Sequence, residues 1–138
     1  MRVLAIDFGS KRIGLAISDP LGFTAQGLPT LANHGQDKVL GELTKLCKER
    51  EVGLIVIGVP LNMKGDAGLK AQEIMKLVPE IEAKTGVPVK TWDERLTSRE
   101  AGRLMIAEGL SRDRQKQESD RLAATLILQN YLESQRGK

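Results

Sequence analysis

Apolar residues along this chain occur in two spacings, short unbroken runs and stripes that recur every three or four positions. The unbroken runs are too short for typical helices and predict buried β-strands. They cover residues 3–6, 13–17 and 52–59, and a further strand is predicted at 87–92, just before Asp93 and Glu94. The polar residues 9–12 between the first two runs predict a tight turn between antiparallel strands. Residues 24–31 contain scattered glycine and proline, which allows at most a short third strand at a sheet edge.

The helical spacing of apolar residues predicts four helices after the first hairpin. They begin near Asp37, Ala67, Ser98 and Asp120, and the last ends at Leu132. The apolar stripe of the last helix comprises Leu122, Ala123, Leu126, Ile127 and Tyr131. Thr97 and Glu100 have the spacing of a capping box, which marks the start of the third helix. Pro79 is expected to kink or split the second helix, because proline lacks a backbone N–H. The charged residues 110–117 predict a loop, and residues 133–138 predict a frayed end.

The order of these elements predicts an α/β fold. An antiparallel β-meander is followed by helix, strand, helix, strand and two helices, so the later strands are expected to run parallel to the first. With 138 residues, of which 41% are hydrophobic, residues 1–138 are expected to form one domain. A single cysteine, Cys47, and the lack of a recognisable signal peptide or membrane-length apolar stretch favour a cytoplasmic protein.

The formal net charge of +3 leans only mildly toward polyanionic partners, but its distribution is uneven. The segment 95–116 contains six arginines and lysines and only three acids. It predicts a basic patch suited to nucleic acid. For any single arginine in it, a solvated helix face is the simpler interpretation.

Asp7 ends the first strand and is the most prominent candidate for chemistry. If the turn is centred near residues 10–11, Asp7 faces Gly14 across the ladder and has no opposing side chain. This arrangement predicts space beside the carboxylate for an ion or a phosphate. Asp19 would face Arg2, roughly 16 Å along the ladder from Asp7, and is expected to cap or pair structurally instead.

Further carboxylates follow the later strands. Ligands bind at the carboxyl edge of parallel strands, where Asp7 would meet the turn at 58–65 and the pair Asp93 and Glu94. Neighbouring strand residues face opposite sides, so the pattern leaves open which of the pair faces Asp7. Asp120 can reach the same edge through the preceding loop, but an acid in a first helical turn needs no such role.

Crowded carboxylates repel one another, and a divalent cation is a natural means of neutralising them. Ligand sets made of Asp and Glu oxygens suit Mg²⁺ or Mn²⁺. Two such ions can activate a water and stabilise the leaving oxygen of a phosphodiester. The residues therefore predict hydrolytic nuclease chemistry if Asp7, Asp120 and one of Asp93 and Glu94 converge.

Four motifs follow one another along the chain: DFGSKRIG at residues 7–14, GVPLNMKG at 58–65, DERLT at 93–97 and DRLAATLIL at 120–128. Together they closely resemble the YqgF family, also called RuvX, of proposed Holliday junction resolvases and pre-16S rRNA nucleases. The resemblance implies a ribonuclease H-like fold, in which a mixed five-stranded sheet carries helices on both faces. It also implies metal-dependent cleavage of nucleic acid, with processing of the 5′ end of pre-16S rRNA in ribosome biogenesis as the role and ribosomal particles as partners.

Carried over residue by residue, the resemblance implies that Asp7, Glu94 and Asp120 are catalytic acids that hold Mg²⁺ or Mn²⁺, and it favours Glu94 over Asp93. Arg121 stands where a small or apolar residue is common in the family, a departure expected to affect the helix surface rather than the chemistry. Basic and amide side chains near the motifs are expected to contact phosphate. They are Arg12, Asn62, Lys64, Arg95 and Arg99.

Three other functions are compatible with the sequence. The first is a Holliday junction resolvase acting on branched DNA. The second is a non-catalytic RNA-binding module in ribosome or transcription assembly, which would use the same basic surface. The third takes Asp7, Phe8 and Gly9 as the phosphate loop of an actin-like or sugar-kinase ATPase. That fold needs two domains around the nucleotide, whereas 138 residues supply one.

Overall fold

The computed structural model describes residues 1–61, 68–94 and 112–136. Within these ranges the chain forms five strands and three helices. They are β1 (Arg2–Phe8), β2 (Arg12–Ser18), β3 (Ala25–Ala32), α1 (Gln36–Glu49), β4 (Val52–Val59), α2 (Leu69–Thr85), β5 (Val89–Asp93) and α3 (Arg112–Arg136). The helix predicted from about Ser98 to Gly109 lies outside the described residues.

The five strands make one mixed sheet in the order β3-β2-β1-β4-β5. β1 pairs antiparallel with β2, and β2 pairs antiparallel with β3, as short connections permit. β1 pairs parallel with β4, and β4 pairs parallel with β5, after crossovers that contain α1 and α2. A meander followed by parallel strands is the sheet that the sequence predicts.

Helices cover both faces of the sheet. Leu4 and Ile6 of β1 belong to an apolar cluster with α1 and α2, whereas Val3 and Ala5 belong to a second cluster with α3. Successive strand residues point to opposite faces, so a strand covered on both sides is apolar at every position. This explains why the central strands appear in the sequence as unbroken apolar runs.

The last helix, α3, is longer than the sequence predicts. It already includes Arg112, so the predicted loop at 110–117 is wrong from that residue onward, and it continues past Leu132 to Arg136. Residues 112–136 contain neither glycine nor proline and are rich in arginine, glutamine and leucine, which favour helix. Asp120 therefore lies well inside the helix and is not an acid of its first turn.

The packed face of α3 is shifted by about one residue from the predicted stripe. Leu122 and Leu126, which the stripe places in the core, are only half-buried. Within residues 119–136 of α3, the buried residues are Ala123, Ala124, Ile127, Leu128, Tyr131 and Leu132. They occur in adjacent pairs, because a helix lying on a sheet buries two neighbouring rows.

Two proline-containing segments are more regular than predicted. β3 covers the eight residues Ala25–Ala32 at the sheet edge, a position that tolerates Pro29. α2 runs unbroken through Pro79, so the expected split is wrong. Because Pro79 has no backbone N–H, the carbonyl of Met75, four residues earlier, has no helical hydrogen-bond donor. Both residues are exposed. The freed carbonyl is therefore on the solvent side of the helix.

Cys47 lies in the core, and His34 is exposed. Burial raises the pKa of the Cys47 thiol to about 11, so this side chain stays protonated and unreactive near neutral pH. No helix in the described part of the chain combines the length and the apolar run that a membrane span requires.

Candidate active site

Asp7 lies near the carboxyl end of β1 with a glycine beside it on each neighbouring strand. Its partner on β2 is Gly14, which confirms the predicted register. On the other side, the parallel register with β4 continues to Gly58. Asp7 is only 6% exposed, and strand alternation puts it on the α3 face. The strand positions on either side of this buried acid therefore carry no side chain.

Glu94 directly follows β5 and lies on the same face. Trp92, two residues earlier, packs against the cluster on the α3 side, whereas Val89 packs against the opposite cluster. Alternation therefore places Glu94 toward α3 and Asp93 away from it. Glu94 is 8% exposed, and its Cγ lies 3.0 Å from the position that a Cβ on Gly58 would occupy.

Gly58 borders both of these acids. It is the β4 neighbour of Asp7, and the Glu94 side chain lies against it. A Cβ at this position would also lie 2.6 Å from Cδ1 of Ile127 in α3, which is too close for real atoms. The glycine thus lets the Glu94 side chain and α3 close over β4 directly beside Asp7.

Asp120 reaches the site because α3 crosses the sheet over Gly14. A Cβ built on Gly14 would overlap the backbone oxygen of Asp120. The helix backbone therefore fills the space above Gly14, the residue opposite Asp7. The hairpin alone does not indicate this, because α3 comes from the other end of the chain. In the structure Gly14 admits the helix that carries the third acid.

The carboxylate of Asp120 forms an ion pair with Arg12, the first residue of β2. Nε of Arg12 donates a hydrogen bond to Oδ2 of Asp120 over 3.3 Å. The two side chains are 20% and 33% exposed, so the pair is partly screened by solvent. The sequence predicts that Arg12 contacts phosphate, whereas in the structure its guanidinium is engaged with an acid of the candidate site.

The strands and α3 bring Asp7, Glu94 and Asp120 to one end of the α3 face, but the three side chains are not arranged as a ready-made metal site. In the ranges that the structure describes, no three His, Cys, Asp or Glu side chains lie close enough together to hold a metal. The chemistry of the donors fits Mg²⁺ or Mn²⁺, because all three are carboxylates. The near-complete burial of two of them also favours a site for a cation.

The remaining residues predicted to contact phosphate lie outside the described residues. They are Asn62, Lys64, Arg95 and Arg99.

Asn33 is a supporting residue that sequence reasoning missed. Its Nδ2 donates to the carbonyl of Gly9 over 3.0 Å, and its backbone N–H donates to the carbonyl of Lys11 over 2.9 Å. It therefore holds the turn that follows Asp7. Nothing in the sequence indicates this, because both of its partners are backbone carbonyls.

Arg121, the residue that departs from the family pattern, packs across the outer strands. Its Nη2 donates to the carbonyl of Gly27 over 3.0 Å, and its Nε lies 2.6 Å from where a Cβ on Gly27 would be. Arg121 thus joins α3 to β3, in line with the expected effect on the helix surface.

Asp19 has the structural role that the sequence predicts. Its Oδ1 accepts hydrogen bonds from the backbone N–H groups of Phe23 at 2.7 Å and Thr24 at 2.8 Å. Both hydrogen bonds lower the pKa of the Asp19 carboxyl, and the bond from Thr24 has the larger effect. This acid organises the turn between β2 and β3 and is separate from the Asp7 site.

Curated relatives match nearly the whole chain. A protein of Clostridium acetobutylicum is 46% identical over 134 residues, which is 97% of this chain and 99% of the relative. A protein of Clostridium beijerinckii is 47% identical over 133 residues, which is 96% of both. Each carries the name "Putative pre-16S rRNA nuclease".

Two solved structures share the fold over nearly the full length. Thermus thermophilus RuvC in complex with a Holliday junction substrate has a TM-score of 0.62 at 15% identity, covering 100% of this chain and 97% of RuvC. The fowlpox virus Holliday junction resolvase has a TM-score of 0.62 at 12% identity, covering 98% and 99%. The fold is ribonuclease H-like. The family model described as RuvX, Holliday junction resolvase, matches residues 1–134, and the chain therefore belongs to the RuvX family, also called YqgF.

Proposed function

We propose that this chain is a divalent-metal-dependent nuclease that hydrolyses phosphodiester bonds of structured nucleic acid. The observation that carries the proposal is the placement of Asp7 and Glu94, both nearly buried, on either side of Gly58, with Asp120 of α3 on the same face. Membership of the RuvX family supports a hydrolase that acts on nucleic acid.

The proposed metal ligands are Asp7, Glu94 and Asp120. A bound Mg²⁺ or Mn²⁺ supplies an activated water and stabilises the leaving oxygen of the phosphodiester. Asp7 comes from the central strand of the sheet, which fixes its backbone on both sides. Asp120 comes from the helix layer, so the packing of α3 on the sheet determines how the third carboxylate meets the other two. We assign these roles within one nuclease domain of residues 1–138.

The proposed substrate is the 5′ region of pre-16S rRNA, cleaved in the cytoplasm within or near ribosomal particles. The names of the relatives at 46% and 47% identity support this choice. Phosphate contacts are assigned to Arg12, Asn62, Lys64, Arg95 and Arg99. Because phosphate contacts release counterions, binding should weaken steeply as salt is raised.

Branched DNA is the second candidate substrate. The description of the matching family model, which names Holliday junction resolution, favours it. A four-way DNA junction therefore has to be tested beside a structured RNA that contains the 5′ end of 16S rRNA with its leader.

Cleavage of these two substrates with Mn²⁺ or Mg²⁺ tests the proposal. Asp7→Asn should lower the cleavage rate by about a hundredfold or more, because it removes a proposed ligand from the most rigid part of the site. Asp19→Asn is the matched control. It makes the same change on the same hairpin, but at an acid that organises a turn, and it should cleave at nearly the wild-type rate.

Two results would contradict the proposal. One is a wild-type protein that cuts neither substrate with metal present, and the other is an Asp7→Asn variant that cuts as fast as the wild type. If the uncut RNA is still bound in a salt-sensitive manner by both wild type and Asp7→Asn, the chain is instead a non-catalytic RNA-binding module.

A further inference from the structure

The Arg12–Asp120 ion pair joins a residue predicted to bind phosphate to a residue proposed to bind metal. Arg12 lies at the start of β2, and Asp120 lies in α3, 108 positions later in the sequence. The bond runs from Nε to Oδ2, so the guanidinium occupies one of the two oxygens that Asp120 can offer to an ion. An arginine is always charged at physiological pH, so it acts here as a fixed positive charge.

We propose that Arg12 is a resident counter-cation of Asp120, and that a divalent ion must displace it to bind at Asp7, Glu94 and Asp120. This inference rests on the metal site proposed above. A guanidinium and a divalent ion compete for the same carboxylate and also repel each other across the short distance between them.

The pair is weak enough for such an exchange. With the two side chains 20% and 33% exposed, it belongs with the solvent-screened ion pairs, whose loss changes an equilibrium constant by about fivefold or less. Arg12 therefore offsets part of the charge of Asp120 when no ion is present and imposes only a modest penalty on metal binding.

Displacement also gives Arg12 a second task. The freed guanidinium remains at the edge of the sheet where Asp7 and Asp120 lie, and its planar fork suits the oxygens of a phosphate. Removing Arg12 should therefore have two effects of opposite sign. The protein should bind metal more tightly and nucleic acid more weakly, whereas loss of a merely structural contact would weaken both or neither.

Arg121 provides a matched control on the same helix as Asp120. It is the next residue along the chain, but its guanidinium donates to the backbone carbonyl of Gly27. Arg121→Gln removes one positive charge close to the site and leaves the Arg12–Asp120 pair in place. A general effect of net charge would appear in both variants, and displacement of the pair would appear only in the Arg12 variant.

Titration with Mn²⁺ alone, at low salt and without nucleic acid, tests the inference directly. Isothermal calorimetry and the fluorescence of Trp92, the single tryptophan and a near neighbour of Glu94, report binding independently of activity. Arg12→Gln should lower the Kd for Mn²⁺ about two- to fivefold, and Arg121→Gln should change it less than twofold. Arg12→Lys, which keeps the charge, should stay within about twofold of wild type. In cleavage assays Arg12→Gln should raise the KM for RNA.

The outcomes separate the inference from the function on which it rests. If Asp7→Asn abolishes Mn²⁺ binding but Arg12→Gln leaves the Kd unchanged or raises it, the metal site stands and the role of Arg12 is refuted. If the wild-type protein binds no Mn²⁺ at millimolar concentration, the proposed metal site itself is wrong. Should Arg12→Gln fail to fold, as judged by circular dichroism, Arg12→Met keeps the apolar stem and is expected to give the same tighter binding.

Discussion

Asp7 and Asp19 are carboxylates on one hairpin, yet their surroundings give them different tasks. Asp7 is nearly buried between two glycines and lies under a helix. Asp19 is at the exposed end of the same hairpin, where it accepts two backbone hydrogen bonds. Burial among positions without side chains is unfavourable for a charge and indicates a functional site, whereas backbone bonds to an exposed acid indicate a cap.

The lowered pKa of Asp19 leads to a prediction about stability and pH. A depressed folded-state pKa stabilises the protein above the pKa of the unfolded chain, about 3.9, and this contribution is lost as the pH falls through the folded value. Wild type should therefore be more stable than Asp19→Asn at neutral pH, and the difference should shrink below about pH 4. Urea unfolding at a series of pH values measures it. A difference that stays constant down to pH 3 would contradict this role.

The pairing of Asp7 with Gly14 could be predicted from the sequence, because two apolar runs and a short turn fix the register of a hairpin. The contact of α3 with the sheet above that pair could not be predicted. The backbone of Asp120 fills the space over Gly14 through a contact between residues more than a hundred positions apart. No local pattern contains such information. The space above Gly14, which the hairpin alone leaves open, is occupied by α3.

At the scale of elements, the position of the site depends on how closely α3 lies on the sheet. A side chain at Gly14 would collide with the backbone of Asp120 in α3. A side chain at Gly58 would collide with the side chain of Ile127 in the same helix. Large residues at these positions would lift the helix and move Asp120 away from Asp7. The two glycines are therefore packing requirements of the candidate site.

Gly14→Ala should destabilise the protein by about 3 kcal/mol or more, because its methyl group would overlap the backbone of α3. Gly41→Ala is the control. Gly41 lies on the exposed side of α1 with nothing within 4 Å of a new Cβ, so this variant should gain about 0.5 to 1 kcal/mol from helix propensity. Chemical denaturation of the two variants checks both values. Equal stabilities would show that α3 does not depend on a close approach at Gly14.

The length of α3 shows why this element was hard to predict. Charged residues at 112–117 resemble a loop by composition, and only the absence of glycine and proline from 112 to 136 favours helix throughout. The length of the helix also determines how Asp120 is presented to the candidate site. A helix that begins at Asp120 would present that acid at its end, whereas the observed helix presents Asp120 from its middle as it crosses β2.

At the scale of the whole molecule, the sheet separates two adjacent acids. The order of strands and helices could be predicted from the sequence, because apolar periodicity is local. The choice between Asp93 and Glu94 required the resemblance, since alternation alone does not say which face a given helix covers. The structure supplies that information through Trp92, which packs on the α3 side and places Glu94 with it.

The proposed cation site is formed by two layers of the fold, with Asp7 and Glu94 from the sheet side and Asp120 from α3. A crystal structure of the protein soaked in Mn²⁺ is the decisive test of this site, because the anomalous signal locates the ion without reference to activity. We expect a peak within bonding distance of the Asp7 and Glu94 carboxylates, with Asp120 turned from Arg12 toward it. Manganese bound elsewhere, with these three carboxylates bare at millimolar Mn²⁺, would refute the site.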